Sequence, residues 1–185
     1  FYLLSRYKKI PAMAAYLYRK RMAQTNKDRG FVTAPASVMI RITEDCNLRC
    51  FFCGQHGRRG VYDQPCGIDG KAKELDASAW KRFIKSIRGR VPQAYITGGE
   101  PLLRDDLAEI IAFASGEGML THLNTNAILL ESRAKDLLNA GLDYISCSLD
   151  STDPISEEIT GNKDAYKSAV AGIQALVSTA RGPII

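Results

Sequence analysis

Between Val38 and Thr179, short apolar runs alternate four times with stretches of helical periodicity, and each run ends in glycine or polar residues. Val38, Ile40 and Ile42 alternate with other residues, as a strand requires. Ala94–Thr97, Met119–Thr125 and Leu142–Leu149 supply three further strands. Asp76 is placed to cap a helix carrying Trp80, Phe83, Ile84 and Ile87 on one face. Asp105–Ser115 forms the next, with Leu107, Ile110, Ile111 and Ala114 inward. Ser132 is expected to cap a third helix bearing Ala134, Leu137 and Leu138. Asp164–Thr179 forms a fourth, with Tyr166, Val170, Ile173 and Val177 inward, and Ile184 and Ile185 begin a fifth strand. Strictly alternating elements predict a parallel sheet joined by right-handed crossovers. Four strands cannot close a ring, so the fold class is α/β, a partial barrel of the TIM type cut after about four βα units.

The unusual residues gather just past the strand ends, the edge where parallel α/β folds bind ligands. Cys46, Cys50 and Cys53 follow the first strand in CxxxCxxC spacing, Gly98-Gly99-Glu100-Pro101 the second, Asn124–Asn126 the third, and Ser148–Asp150 ends the fourth. Three thiols within eight residues suit one compact metal object. On a four-iron cluster, three thiolates leave one iron open for chemistry. The competing reading is a structural zinc site completed by His56 or Cys66, although only Cys50 and Cys53 form the CxxC pair that such sites favour.

Composition narrows the class. Five cysteines in 185 residues, three of them crowded together, do not form a disulfide framework and point to a reducing, cytoplasmic setting. No apolar run is long enough to span a bilayer. The start at Phe1 and the stop at Ile185 read as those of a fragment without a secretory signal. The net charge of +5 is concentrated in residues 1–35, where Arg6, Lys8, Lys9, Arg19, Lys20, Arg21, Lys27 and Arg29 face only Asp28. Leu3, Tyr7, Ile10, Ala14 and Leu17 recur at helical spacing there, with Pro11 interrupting or restarting the helix. This basic amphipathic segment is expected to pack on the 36–185 domain with its charges solvated. Peripheral contact with an anionic membrane is a weaker alternative. No nucleic-acid module is present.

The four rim motifs, in this order and at these separations, resemble the radical S-adenosylmethionine (SAM) superfamily from about Val38 onward. The resemblance implies that Cys46, Cys50 and Cys53 hold a 4Fe–4S cluster whose open iron is chelated by SAM. It also implies reductive cleavage of SAM to methionine and a 5′-deoxyadenosyl radical, which abstracts hydrogen from an organic or peptide substrate. A low-potential electron donor would feed the cluster. Phe52 matches the aromatic position beside the adenine, with core packing of Phe51 or Phe52 as the alternative. Gly98 and Gly99 let backbone approach a ligand, Glu100 is suited to the SAM ammonium, and Pro101 stiffens the turn. A helix start explains Glu100 but not the paired glycines. Period-two alternation sets His122, Asn124 and Asn126 on one face and Ser146, Ser148 and Asp150 on another. Of these, Asn124, Asn126, Ser148 and Asp150 are candidates for contacts with SAM or substrate, or else satisfy backbone groups. The molybdenum-cofactor branch carries a base two positions before the first motif glycine. Ala94-Tyr95-Ile96-Thr97 has none, which disfavours that branch. His56 and Cys66 read as exposed loop residues, Cys147 as a small buried hydrophobe. The alternative class is a non-catalytic zinc- or iron–sulfur-binding module.

Overall fold

The computed structural model describes residues 9–25, 34–57, 74–153 and 155–179. Cys66, the expected fifth strand, most of the loop after Gly57, and Arg6, Lys8, Lys27 and Arg29 lie outside the described residues. Helix α1 (Ile10–Thr25) precedes strand β1 (Val38–Arg41). Then come α2 (Ala77–Ile87), β2 (Gln93–Thr97), a 3₁₀ turn (Pro101–Leu103), α3 (Leu107–Gly116) and β3 (Leu120–Thr125). Helix α4 (Leu130–Asn139), β4 (Tyr144–Cys147), the short α5 (Ile155–Thr160) and α6 (Ala165–Thr179) complete the order.

All strand pairs are parallel, in the order β1-β2-β3-β4. Sequential order with crossovers of one hand sends the connecting helices to one side of the sheet, the barrel arrangement rather than the doubly wound one. Ile40, Ala94, Ile96, Leu123 and Ile145 face those helices and join Ile84, Ile110, Ile111 and Leu137 in one buried core. Each large aliphatic side chain fully buried there contributes roughly 1.5–3 kcal/mol. The alternate residues line the inner face, where Tyr95, His122 and Tyr144 are level across β2, β3 and β4.

The inward face of α3 is as expected, and Asp76 caps α2 by accepting from the Ala79 N–H at 2.7 Å. Two helices differ. Helix α4 starts at Leu130, so Ser132 lies inside it and its hydroxyl donates to the Leu129 carbonyl rather than capping. Helix α6 buries Ala165, Ala169, Gly172 and Leu176, while Val177 is exposed. The cause is close packing: a Cβ on Gly172 would stand 2.7 Å from the Ala127 carbonyl oxygen and 2.8 Å from the Leu130 Cβ. The contact face therefore selects small residues over large apolar ones.

Helix α1 has no buried residue, and Ile10, Leu17 and Tyr18 are exposed, so it does not present the expected apolar stripe to the domain. Polar anchors hold it at the N-terminal edge of the sheet. Lys9, just ahead of it, is buried and reaches Asp143 at 2.6 Å and the Gly141 carbonyl at 3.1 Å. Arg19 donates to the Pro35 and Arg90 carbonyls. At least these two cations serve the fold rather than a solvated face. No helix among the described residues is long and apolar enough to cross a membrane.

Candidate active site

The loop after β1 is stitched to the turn after β2 by backbone bonds. The Ile42 N–H donates to the Thr97 carbonyl at 2.9 Å, Gly99 to Thr43 at 2.9 Å, and Glu100 to Asp45 at 2.7 Å. This contact explains the paired glycines. A Cβ on Gly98 would lie 2.7 Å from the Thr43 carbonyl oxygen, and one on Gly99 only 2.2 Å from that of Asp45. Backbone does approach them closely, but that backbone is the cysteine loop's own.

Glu100 is 1 % exposed and caps the 3₁₀ turn, which Pro101 opens, by accepting from the Leu102 N–H at 2.9 Å. It also accepts from the Thr125 hydroxyl at 2.7 Å and the Asn126 N–H at 2.8 Å. Burial nevertheless raises its pKa above the usual carboxylate value, because these bonds offset only part of the desolvation. No basic side chain among the described residues pairs with it. The Asn126 side-chain amide donates to Asn47 Oδ1 at 2.7 Å, tying the third rim motif to the cysteine loop.

Arg104, which the motifs did not single out, braces the start of that loop. Its guanidinium holds both Asp106 oxygens, the Ile42 and Leu75 carbonyls and Glu74. Glu74 accepts in turn from the Thr43 hydroxyl at 2.6 Å and the Glu44 N–H at 2.9 Å. Short helix α5 backs the loop from the other side, its Thr160 and Ile159 carbonyls accepting from Arg49 and Phe51 N–H. A basic residue after GGEP is a sequence signal that could have flagged Arg104; α5 is too short to give one.

Within this frame the three cysteines are half-buried free thiols. Burial raises the pKa of Cys46, with negative charge at Glu100 and Cys53 adding to it. Cys50 is pushed up to about 11 by burial and by the charges of Cys46, Cys53 and Asp150. Cys46 thus feels Cys53 and Cys50 feels both, which puts the three sulfurs in one electrostatic neighbourhood bordered by Asp150. Backbone N–H groups of Leu48, Gln55 and His56 approach the sulfurs of Cys46 and Cys53 at 3.4–3.5 Å. Bound iron would reverse the shifts of Cys46 and Cys50 and hold its cysteine ligands as thiolates, and the N–H groups would then stabilise charge on the cluster sulfurs.

Among the described residues, no three His, Cys, Asp or Glu side chains converge tightly enough to grip one metal ion. A cubane spreads its cysteine ligands farther apart than a single zinc does. His56 is half-buried, not exposed, and its Nε2 lies 2.7 Å from the Glu44 carbonyl oxygen, so that nitrogen joins the two ends of the loop. Phe51 and Phe52 are 58 % and 55 % exposed and meet edge to face, which overturns core packing for either ring. Ser148 and Asp150 are exposed at the rim, while the Ser148 N–H extends the β4 pairing to Thr125. Asn124 and Ser146 are level on the inner face. Cys147 packs half-buried against the core.

The family model of the Radical SAM superfamily matches residues 40–180. The chain belongs to the radical SAM superfamily. It is 37% identical over 150 residues to a probable GTP 3′,8-cyclase of Methanopyrus kandleri, covering 80% of this chain and 45% of that protein. It is also 37% identical over 145 residues to a PqqA peptide cyclase of Ruegeria pomeroyi, covering 76% and 36% respectively. The chain thus spans less than half the length of these relatives. Among solved structures, SuiB of Streptococcus suis bound to its precursor peptide SuiA matches with a TM-score of 0.58 at 21% identity, over 84% of this chain and 34% of SuiB. SuiB bound to S-adenosylmethionine matches with the same TM-score at 22% identity, over 80% and 33%. The radical SAM fold is therefore shared with SuiB, and the zinc-module alternative is not favoured.

Proposed function

We propose that the full-length protein cleaves SAM reductively at a 4Fe–4S cluster and directs the resulting radical to an organic substrate, a peptide in preference to a nucleotide. The observation that carries this reading is the shared rim: three half-buried free thiols on one loop, bonded through its backbone to the turn that carries a buried carboxylate with no protein counter-cation among the described residues. When bound, cluster and SAM supply an electron and a sulfonium whose cleavage releases methionine and a 5′-deoxyadenosyl radical.

The chain's residues hold and orient. Cys46, Cys50 and Cys53 ligate the cluster. Glu100 accepts the SAM ammonium, a charge-assisted bond in a site from which water is excluded. Gly98 and Gly99 keep the cysteine loop on the turn that Pro101 stiffens. The Phe52 ring is free to stack on adenine. Asn124, Asn126, Ser148 and Asp150 bond the ribose, the carboxylate or the substrate. PqqA and SuiA are peptides named for one relative and one structural neighbour, while the Methanopyrus kandleri relative is named for GTP; the preference for a peptide rests on the inner face of the sheet described below. A low-potential donor, at about −400 mV or below, and a reducing cytoplasm complete the proposal.

Anaerobic reconstitution with iron and sulfide tests it. The expected outcome is about four irons per cluster, a spectrum perturbed by SAM, and 5′-deoxyadenosine on reduction. One tightly held zinc and no iron would overturn the reading. So would a Cys50→Ala variant that still made 5′-deoxyadenosine.

A further inference from the structure

The inner face of the sheet carries polar groups that the rim does not use. Met39, Tyr95, His122 and Tyr144 stand level on successive strands. The His122 ring meets Tyr95 edge to face at 4.7 Å and Tyr144 at 6.0 Å between centroids. Its Nε2 lies 2.7 Å from the Ser146 hydroxyl, and the Tyr144 hydroxyl donates to Met13 in α1. The imidazole is thus held at both flanks and at one nitrogen. Its other nitrogen and the Tyr95 hydroxyl have no partner among the described residues, yet neither is sealed from solvent. Both lie two residues below Thr97 and Asn124, about 7 Å beneath the rim at the usual strand rise.

Charge on this face is nearly cancelled. Arg41 is the charged side chain among the inward residues of the described strands, and it pairs with Glu44 at 3.0 Å. Burial lowers the His122 pKa, so the ring is neutral at neutral pH. Among the described strand residues of this face, a polyphosphate would give up its hydration for one arginine that already has a carboxylate partner and keeps a single unpartnered Nε–H. A neutral amide suits the surface better: it donates and accepts at once, and its apolar neighbours find Met39, which is 70% exposed, and the tyrosine ring.

We infer that Tyr95 and His122 form a specificity-determining subsite for an uncharged hydrogen-bonding group, the amide of a peptide substrate rather than the phosphates of a nucleotide. The inference rests on the radical SAM reading of the rim and assigns to two residues the recognition of the peptide group that reading names. The test is an NMR titration of the full-length, anaerobically reconstituted protein labelled at histidine and tyrosine. The probes are N-acetyltyrosine amide and, separately, GTP. His122→Phe, which keeps a ring in the stack, assigns the imidazole signals, and Tyr95→Phe removes one hydroxyl only.

The His122 signals are expected to shift with the amide and not with GTP. The amide affinity, read on the tyrosine signals, should fall about tenfold in His122→Phe and a few-fold in Tyr95→Phe. A response to GTP alone, no response to either probe, or unchanged amide affinity in both variants overturns the inference. Iron content and the SAM-induced spectral change are read on the same sample. An intact, SAM-responsive cluster without an amide response sinks the subsite alone; zinc in place of iron sinks the reading beneath it.

Discussion

Strand β3 has a carboxylate at each end, and the two are dressed differently. At the N-terminal edge, Asp143 Oδ2 accepts from the Thr121 N–H at 2.8 Å, the Thr121 hydroxyl at 3.0 Å and the Lys9 ammonium at 2.6 Å. At the C-terminal edge, Glu100 accepts from the Thr125 hydroxyl and from the Asn126 and Leu102 N–H groups. Each has three donors, but one set includes a cation and the other does not. A buried carboxylate without a counter-charge is costly unless a ligand supplies it. The Asp143 end is complete within the protein, whereas the Glu100 end suits a cationic ligand. That contrast separates the edge that builds the domain from the edge that does chemistry.

The comparison breaks most severely at Gly99, because the Glu100 end depends on the cysteine loop lying against the turn. A Cβ at this position would meet the Asp45 carbonyl oxygen at 2.2 Å, so Gly99→Ala must displace main chain. Expected is a loss of about 3–5 kcal/mol in chemical denaturation, with failure to retain iron. Gly54→Ala is the control, since nothing lies within 4 Å of its Cβ position; a change within about 0.5 kcal/mol is expected.

The two carboxylates should then respond in crossed fashion. Lys9→Met strips Asp143 of its cation and should cost about 2–3 kcal/mol, below the full penalty for breaking a buried pair because Asp143 retains 19% exposure. It should leave iron content and SAM affinity unchanged. Glu100→Gln should cost only about 1–2 kcal/mol, through one mismatched hydrogen bond, yet weaken SAM binding tenfold or more. Calorimetry on both variants decides: equal SAM affinities would erase the distinction between the two ends.

Much of this was legible in the sequence where residue type follows one cause. Leu107, Ile110, Ile111 and Ala114 mark the inward face of α3 because that helix packs by bulk on the sheet. Helix α6 misled because proximity to Ala127 and Leu130 rewards Ala169 and Gly172 over Val177. At the rim, the cysteines and Gly-Gly-Glu-Pro were visible as types. What the glycines accommodate was not, since it depends on a loop some fifty residues earlier. Glu74, Asn47 and Arg104 escaped notice for the same reason: their roles are bonds between loops, and no local periodicity records such bonds. Lys9 read as one solvated charge among many because its partner, Asp143, comes 134 residues later in the sequence.

The smallest expected effect is also the sharpest test of the Glu100 end. Burial raises its pKa above 4.5, so between 4.5 and that raised value the native state holds a proton the unfolded chain has released. The stability Glu100 contributes is therefore complete below 4.5 and is lost as pH rises through the folded pKa, with a slope of at most about 1.4 kcal/mol per pH unit. SAM binding should run the other way, strengthening as the carboxylate ionises to meet the ammonium. Cys46 and Cys50 titrate higher, Cys50 at about 11, and stay out of this acid window. Thermal denaturation and SAM titration from mildly acid to neutral pH, on wild type and Glu100→Gln, should differ in opposed directions: the stability difference between the two proteins falls as pH rises and the SAM-affinity difference grows, while the contribution of His122, present in both, cancels. Parallel curves for the two proteins would mean that Glu100 keeps one protonation state across this range, and that its donors, not a ligand's charge, are what it was built to serve.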